Sequence, residues 1–536
     1  MGKGVVDDPR SADTFPQLVR AAAAAYGNDL AVVLQDEGVP DETISFVELD
    51  RGSAELARGL IARGVGKGSR VGFIYGNGPM FALLLAAISR IGAIAIPCST
   101  LIKSNELVRV LRQSDVSGVI VQRSLLGHDY VERLCDALPE LREGNSPDLR
   151  IAAAPYLRWL VSTGEDLPPT IHPMNWLTEA AEQVSDELLR AIESEVHPAD
   201  QMIEIYTSGS MALPKGVKHN HGPVLFRTHW LREMIGQQRG QQITAILPMF
   251  WVGGLMMYLL PDWEVGATTI CTVRTLNNSR IAMGSVLAED DMKLMAAAKP
   301  YWGLGMSETI GPYSWGDELR TTGFLMCAPM DHWGDRYDVR VADENGNQVG
   351  DGEVGEVQVR GYPVTPGLHK IEREEYFTPD GFYHTGDMGL MQGKRVQFVG
   401  RNGDMIKTMG SNVSPGEVEM ELQSLEGVHS AYVVGVPDQE RGQLVAAAIV
   451  PREGAVLDFA EIEATLRKRM SGYKVPRAYV EITRDEVPML HSNKVSRRLF
   501  VDVMARKLGR ESGQGTAPGS VEAAPDTRPT ETTPQV

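Results

Sequence analysis

The sequence has few of the features that mark secreted, membrane-spanning or metal-clustered proteins. It contains only four cysteines, with no CxxC pair: Cys98, Cys135, Cys271 and Cys327. This spacing favours separate core thiols in a reducing compartment over a disulfide framework or a zinc site. The longest apolar run, MFALLLAAISRIGAIAIP, is interrupted by Arg90 and Gly92, and the amino terminus lacks an apolar signal core. These absences predict a cytoplasmic protein without stable membrane insertion.

Positive charge is also scarce. The chain has 52 Lys and Arg residues against 70 Asp and Glu residues, a formal net charge of -18. This balance argues against a general nucleic-acid or anionic-membrane surface, so any anionic ligand must be met by local basic groups. At 536 residues with 43% hydrophobic residues, the chain exceeds what one core usually supports, and we expect two or more domains.

Apolar patterning predicts an α/β fold for the first part of the chain. Helical spacing covers residues 12–26, 46–63 and 80–91, whereas the short β-branched runs at 71–76, 93–98 and 116–121 are typical of buried strands. The alternation of strands and helices predicts a largely parallel sheet. Residues 339–361 instead alternate apolar and polar positions around Asn-Gly and Asp-Gly turns, which predicts an antiparallel hairpin.

The residues after Gly400 form a second predicted unit. A capped helix begins near Ser414, the strands AYVVGVP and LVAAAIV follow, and a helix over 459–470 precedes a strand near Tyr479. We therefore expect a large N-terminal α/β domain with mixed sheets over 1–402 and a small α+β C-terminal domain over 403–510. Residues 511–536 are rich in Gly, Pro, Thr and Glu and are expected to be disordered.

One loop carries most of the local chemistry. The stretch YTSGSMALPKGVKH gathers small and hydroxyl residues around one lysine, and its candidate ligand residues are Thr207, Ser208, Gly209, Ser210 and Lys215. Small residues let backbone N–H groups approach a phosphate, and a lysine neutralises its charge. The spacing differs from that of a Walker P-loop, because Lys215 is followed by Gly and Val. A polar surface turn without a ligand is the alternative for this loop taken alone.

Four further motifs accompany this loop. They are GMSET at 305–309, FYHTGDMG at 382–389, FVGRNGDMIKTMGSNVSPGEVE at 398–419 and VPMLHSNKVSRR at 487–498. Together, and in this order, the five motifs resemble those of the adenylate-forming superfamily of acyl-CoA synthetases, peptide-synthetase adenylation domains and beetle luciferases. The resemblance implies a large N-terminal domain and a small C-terminal domain that is mobile.

The resemblance implies a reaction in two steps. A carboxylate attacks the α-phosphate of ATP to give an acyl-adenylate and pyrophosphate, and a thiol then attacks the mixed anhydride. The implied cofactors are ATP, Mg²⁺ and coenzyme A. The implied partners are a small carboxylic acid, apolar and either fatty or aromatic, and CoA or the phosphopantetheine of a carrier protein. A homodimer is compatible with the sequence, and no nucleic-acid partner is expected.

The resemblance also assigns roles to residues of the adenylation step. Residues 207–215 would hold the β- and γ-phosphates, Ser307 and Thr309 would lie at the nucleotide, and Glu308 would hold Mg²⁺, which suits a hard cation. Asp387 and Arg401 would bind the ribose hydroxyls. Lys494 would stabilise the charge that forms between the carboxylate and the α-phosphate. Viewed alone, Glu308 and Lys494 are ordinary surface charges and Asp387 is an ordinary turn former.

A second group of roles belongs to the thioester step. In the family the small domain rotates about a hinge, and the matching position here is Gly403, where relatives often carry Asp or Lys. After rotation, Lys407 and residues 408–411 would face the thiol tunnel, with Gly410 leaving room for a pantetheine arm. In the Lys494 motif, the preceding residue is Asn493, where the family usually has Gly.

The resemblance weakens between PMFWVGG and GMSET, where the chain is shorter than its relatives. The candidate adenine loop is MGSVLAED at 283–290, which keeps one glycine, Gly284, and the missing length falls between 272 and 282. This interval normally lines the acid-binding pocket, whose candidate wall residues are Phe250, Trp251, Met256, Met257 and Trp315. Plain core packing is the alternative for these side chains.

Three functions remain open from the sequence. The first is an AMP-forming acid–thiol ligase that makes an acyl-CoA. The second is a stand-alone adenylating enzyme that loads a carrier protein. The third is a catalytically weakened nucleotide-binding homologue, against which stands the retention of every charged residue that the motifs require.

Overall fold

The computed structural model describes the chain over residues 6–36, 39–100, 102, 104–207, 214–272, 302–316, 326–329, 337–393, 395–403, 405–408, 411–413, 415–438, 441–470, 472, 474–489 and 495–509. These residues form two compact units. The first runs to Asn402 and includes Met489, and the second comprises the residues from Gly403 to Pro488 and from Val495 onward.

A seven-stranded sheet forms the centre of the first unit. Its strands lie in the order Lys215–Asn220, Gln201–Thr207, Ile94–Pro97, Arg70–Ile74, Gly118–Val121, Trp159–Ser162 and His172–Pro173. All neighbouring pairs are parallel except the first, which is an antiparallel hairpin. The strands between Ile94 and Ser162 are almost entirely buried, as strands covered by helices on both faces must be. The predicted α/β fold is confirmed.

The helices of the first unit begin where local signals predict. Pro79 opens a helix that ends at Arg90, and Ser45 caps the helix Phe46–Ala62 in a capping box with Glu48. The α-helices are Phe15–Tyr26, Phe46–Ala62, Pro79–Arg90, Ser104–Ser114, Tyr130–Ala137, Glu140–Glu143, Asn175–Thr178, Asp186–Ser194, His221–Ile235, Val252–Gly254 and Leu260–Val265. A π-helical turn, Leu255–Leu259, joins the last two.

Four further sheets complete the first unit. One has the strand order Gln242–Ala245, Thr268–Cys271, Leu30–Leu34 and Glu42–Ser45. Two-stranded sheets pair Ser124–Leu125 with His128–Asp129 and Trp302–Met306 with Gly311–Gly316. A five-stranded antiparallel sheet has the order Met326–Pro329, Arg395–Arg401, Tyr383–Gln392, Gly355–Arg360 and Asp338–Ala342. The antiparallel pairing predicted for residues 339–361 is confirmed by its last two strands.

The second unit is a small α+β fold. Its sheet has the order Ser411–Val413, Ile406–Thr408, Gly442–Pro451 and Val428–Asp438, and Ala478–Glu481 pairs parallel with Gly442–Pro451. Its helices are Pro415–Gln423, Phe459–Arg469 and Arg497–Lys507. Two hydrophobic clusters flank the long central strands, one around Val433 and Leu466 and one around Val434 and Phe500. Alternating burial along one strand therefore feeds two separate cores.

Within the described residues, no helix combines the length and the apolar character needed to cross a lipid bilayer.

Candidate active site

The predicted phosphate loop lies at the end of an antiparallel hairpin. Thr207, the last residue of one strand, is the cross-strand partner of Lys215, the first residue of the next. The hairpin is at one end of the seven-stranded sheet, beside the buried strand Ile94–Pro97. The sheet thus fixes both ends of the loop and points Lys215 from a rigid strand.

A buried polar cluster supports the opposite face of this hairpin. Glu204 is fully buried, accepts a hydrogen bond from the Tyr206 hydroxyl at 2.7 Å and forms an ion pair with Arg70. A Cβ atom on Gly216 would lie 2.5 Å from Glu204 Oε1 and 2.8 Å from Tyr206. Glycine is therefore required at this position, because the Tyr206 ring and the Glu204 carboxylate occupy the space a side chain would need.

Two tyrosines connect Lys215 to Glu308. The Lys215 ammonium lies 4.4 Å from the centroid of the Tyr376 ring, a cation–π contact. The Tyr376 ring is nearly parallel to that of Tyr383, with centroids 6.3 Å apart, and the Tyr383 hydroxyl donates a hydrogen bond to Glu308 Oε1 at 3.1 Å. The structure therefore brings together the predicted phosphate-binding lysine and the predicted metal-binding carboxylate.

The environment of Glu308 opposes its negative charge. The residue is buried, and this burial raises the pKa of its carboxyl, while the Tyr383 hydrogen bond and the charges of Lys215 and Arg401 lower it in part. A buried carboxylate is favoured when a cation binds beside it. The site therefore has residual affinity for positive charge.

Asp387 and Arg401 form the other side of the site. They are cross-strand partners in the five-stranded sheet, and Arg401 Nε donates to Asp387 Oδ1 at 2.9 Å. Asp387 is 4% exposed, whereas the Arg401 side chain is 57% exposed. Burial raises the pKa of Asp387, and Arg401 and the Tyr313 hydroxyl lower it in part. The arginine thus keeps the buried carboxylate available as a hydrogen-bond acceptor.

The turn before Asp387 is held by its own sheet. Thr385 Oγ1 accepts a hydrogen bond from the Asp387 amide at 3.0 Å and donates to the Val357 carbonyl at 2.5 Å. Gly386 has φ +71°, and its amide donates to Glu356 Oε1 at 3.1 Å. The Thr-Gly-Asp sequence therefore forms a rigid turn in which glycine provides the left-handed residue.

A divalent cation fits the chemistry of this site. Among the residues described, no group of three or more His, Cys, Asp or Glu side chains could hold a metal ion. Glu308 offers carboxylate oxygen in a buried setting that penalises its uncompensated charge. This donor set suits Mg²⁺, which takes one or two protein carboxylates and completes its shell with phosphate and water oxygens.

The predicted site residues of the 307–309 turn have different surroundings. Thr309 is fully buried, and its hydroxyl is engaged within the turn: it accepts from the Met306 amide at 3.2 Å and donates to the Gly311 carbonyl at 2.5 Å. Ser307 is half-buried. Thr309 therefore stabilises the turn that carries Glu308.

The remaining predicted residues fall elsewhere. Lys407 is exposed in the second unit, where its amide donates to Gln443 Oε1 at 2.6 Å. Other predicted residues lie outside the described residues, namely Ser208, Gly209, Ser210, Gly284, Gly410 and Lys494, and so do the shortened interval and the tail 511–536. Their roles stay predictions.

The candidate wall residues of the acid pocket follow the strand Gln242–Ala245. Phe250 and Met256 are buried in the core of the first unit, and Trp251 and Met257 are half-buried against it. Met256 and Met257 belong to the π-helical turn, a feature often found at functional sites. Trp315 lies in the strand Gly311–Gly316.

Sequence reasoning missed the aromatic residues that connect the charges. Tyr376 and Tyr383 bridge Lys215 and Glu308, and the buried hydroxyl of Tyr313 lies near Asp387, without hydrogen-bond geometry in the described structure. Burial and the charge of Asp387 raise the pKa of Tyr313 well above its usual value. Tyr383 lies inside a quoted motif, which is the one signal that pointed to it. Tyr376 lies in no motif.

A family model describes most of this chain. The model for the AMP-binding enzyme family matches residues 19–302, and the model for the AMP-binding enzyme C-terminal domain matches residues 417–494. The two matches fall in the order of the two units described above.

Relatives of known name are similar over most of their length. Feruloyl-CoA synthase of an Amycolatopsis species is 27% identical over 497 residues, covering 84% of this chain and 92% of that protein. The long-chain-fatty-acid–CoA ligase of Bacillus subtilis (strain 168) is 25% identical over 548 residues, covering 91% and 94%. The crystal structure of ATP-bound MatB from Rhodopseudomonas palustris has the same fold, with a TM-score of 0.70 at 22% identity over 89% of this chain and 96% of that one.

Proposed function

Because this chain belongs to the AMP-binding enzyme family, within the adenylate-forming superfamily, we propose that it joins a carboxylic acid to coenzyme A through an acyl-adenylate, using ATP. The observation that carries this proposal is the single cluster formed by Lys215, Glu308, Asp387 and Arg401 in the first unit. Such a cluster places positive charge, a metal-binding carboxylate and a ribose acceptor around one nucleotide.

In the first step, a carboxylate oxygen of the acid attacks the α-phosphorus, and the bond to the β-phosphate breaks to release pyrophosphate. Lys215 and the loop that it closes neutralise the leaving phosphates, while Asp387 and Arg401 hold the ribose. When bound beside Glu308, Mg²⁺ would neutralise phosphate charge. Lys494 is proposed to stabilise the charge that forms at the α-phosphate. Catalysis of this kind rests on positioning and charge neutralisation.

In the second step, the thiol of coenzyme A attacks the acyl carbon, AMP leaves and the thiol proton is released. We assign Lys407 and Gly410 to the thiol path and Gly403 to the hinge between the two half-reactions. The domain limits 1–402 and 403–510 are proposed on the same basis. The acid is proposed to be apolar, because the candidate wall residues are aromatic side chains and methionines, and named relatives act on ferulate and on fatty acids. Cytoplasmic location is proposed from the cysteine pattern.

Acid-dependent exchange of labelled pyrophosphate into ATP tests this function. The panel should contain fatty acids of graded chain length, benzoates, cinnamates and malonate, each with and without CoA. We expect exchange with at least one apolar acid, and thioester formation when CoA is added. Lys494→Ala should abolish exchange and leave ATP binding within about threefold of wild type, because the lysine acts mainly on charge formed in the transition state. The absence of exchange with every acid would overturn the proposal.

A carrier protein is the alternative acceptor. The chain contains no carrier-like segment with a modifiable serine, so a carrier would have to be a separate protein. Competition between CoA and a phosphopantetheinylated carrier for the preformed adenylate decides between the two acceptors. A weakened homologue would bind ATP tightly without exchange.

A further inference from the structure

The turn Ser307–Thr309 is held from outside through all three of its carbonyl oxygens. The Ser307 carbonyl lies 2.8 Å from His219 Nε2, the Glu308 carbonyl accepts the Thr365 amide at 2.7 Å, and the Thr309 carbonyl accepts the Tyr337 hydroxyl at 2.6 Å. The turn needs such support, because Ile310 follows it with φ +51°. A β-branched residue in the left-handed region is strained and persists only where its surroundings impose it.

His219 links this turn to the strand that carries Lys215. The two residues lie on the strand Lys215–Asn220 four positions apart, so their side chains share one face. His219 is 1% exposed. Because a carbonyl only accepts, Nε2 must carry the ring proton, and Nδ1 is then unprotonated. Burial lowers the pKa of His219 to about 4, which keeps the ring neutral and in this role near neutral pH.

Packing alone does not require an imidazole here. Nδ1 of His219 is buried and has no hydrogen-bond partner within the described part of the chain. An unpaired buried nitrogen is unfavourable, and a phenylalanine would fill a similar volume without it. The feature that only the histidine supplies is the N–H directed at the Ser307 carbonyl.

We propose that His219 is a positioning residue that fixes the Glu308 turn relative to the Lys215 strand, so that the metal-binding carboxylate and the phosphate-binding ammonium keep one spacing. This inference rests on the proposed function, because it takes Glu308 as the Mg²⁺ ligand and Lys215 as the phosphate ligand. Groups that orient a metal ligand without touching the metal typically contribute about 10- to 100-fold to metal affinity. His219 should therefore affect nucleotide binding mainly when Mg²⁺ is present.

Binding of α,β-methylene ATP to the full chain tests the proposal without catalysis. The dissociation constant is measured by calorimetry at saturating Mg²⁺ and in EDTA, for wild type, His219→Phe and His219→Gln. We expect His219→Phe to weaken binding about 10-fold with Mg²⁺ and less than about twofold in EDTA. Glutamine carries an N–H donor at a similar reach and should recover most of the loss. Wild-type affinity for His219→Phe with Mg²⁺, or an equal loss in both conditions, would overturn the proposal.

Two further variants keep the test decisive. His221→Phe is the matched control: His221 is equally buried, but its Nδ1 accepts the Phe15 amide at 3.1 Å instead of holding the 307–309 turn. It should lower the melting temperature without changing the Mg²⁺ effect. If His219→Phe fails to fold, Tyr337→Phe removes the hydroxyl at the Thr309 carbonyl, and it should reduce the Mg²⁺ effect in the same direction. An unchanged Mg²⁺ effect in that variant would count against the proposal.

The outcome is separable from that of the proposed function. Pyrophosphate exchange by wild type reports on acid activation, whereas the Mg²⁺ effect on binding reports on the turn. A wild-type protein that binds the analogue in a Mg²⁺- and His219-dependent way, but exchanges no pyrophosphate, would retain this inference and lose the proposed function.

Discussion

At the scale of single residues, the site sets burial against charge. Glu308 and Asp387 are both buried carboxylates whose pKa is raised by burial and lowered in part by nearby basic groups. Arg401 acts on both of them. The strand Arg395–Arg401 therefore supplies one guanidinium that balances two acids, and a nucleotide with its metal would complete the balance.

Asp387→Asn tests the ribose assignment at this scale. The substitution keeps the size of the side chain but removes the charge that attracts Arg401 and accepts ribose hydroxyls. A hydrogen bond to a charged group contributes about 1.5–3 kcal/mol, so we expect ATP to bind about 10- to 100-fold more weakly. Titrations with ATP, 2′-deoxyATP and 3′-deoxyATP check this, because the variant should also lose discrimination among the three. Undiminished discrimination would show that Asp387 does not contact the ribose.

Asp262 tests the pH dependence of stability. It is fully buried, its carboxylate oxygens accept hydrogen bonds from Gln237 at 2.9 Å and Thr269 at 2.7 Å, and burial raises its pKa from 3.8 to about 8. Between these values the folded state keeps a proton that the unfolded state has released. Stability from this group is therefore full below pH 3.8 and is lost as the pH rises through about 8.

Asp262→Asn should remove this dependence. The Thr269 hydroxyl can turn to accept from the new amide, so the variant should fold. Relative to wild type, it should gain up to about 1.4 kcal/mol of unfolding free energy per pH unit between pH 5.5 and 8. Denaturant unfolding at several pH values measures this difference, with the exposed Asp41→Asn as the control. Parallel pH profiles for Asp262→Asn and wild type would contradict the prediction.

At the scale of elements, the hairpin of Gln201–Thr207 and Lys215–Asn220 is the rigid support of the phosphate loop. One face carries Lys215 and His219 towards the site, and the other packs Tyr206 and Glu204 over Gly216. The period of two in a strand separates these faces, so one short element joins the core of the sheet to the nucleotide site.

Gly216→Ala tests this support. The added methyl group would lie 2.5 Å from Glu204 Oε1, and neither the buried carboxylate nor the Tyr206 ring can move without breaking their mutual hydrogen bond. We expect a loss of about 1–3 kcal/mol in unfolding free energy and weaker ATP binding, because overpacking shifts the backbone. Gly66→Ala is the control, since nothing lies within 4 Å of its Cβ position. A melting temperature equal to wild type would refute the steric argument.

At the scale of the whole molecule, the chain divides into two compact units between Asn402 and Gly403. Gly403 is exposed, nothing lies within 4 Å of its Cβ position and its φ is not positive. The conformation described here therefore does not require glycine at this residue. A residue that must adopt a second backbone conformation would require it, which supports the proposed hinge.

Gly403→Pro tests the hinge. Proline fixes φ near -65° and should hinder any large change of backbone conformation. We expect pyrophosphate exchange and thioester formation to change unequally, with the latter falling at least about 10-fold if exchange is preserved. Gly403→Ala, which the open surroundings accommodate, is the control. Both half-reactions proceeding at wild-type rates in the proline variant would exclude a hinge at this residue.

Much of the fold was predictable from the sequence, because its signals are local. The apolar period predicted a helix over 80–91 where Pro79–Arg90 forms one, and alternation predicted the pairing of Asp338–Ala342 with Gly355–Arg360. The five motifs identified the family that the chain matches. Each of these signals depends on residues within a few turns or one hairpin of each other, so no tertiary information was needed.

The sequence by itself determined which charged groups the site contains, and only the tertiary structure decided how they are held. The cation–π contact of Lys215 with Tyr376, the Tyr383 hydrogen bond to Glu308 and the His219 contact with Ser307 join residues that are far apart in the chain. No periodicity or motif spacing encodes such pairs. They arise because separate sheets pack against each other, and packing, not local propensity, sets the distances between side chains on different elements.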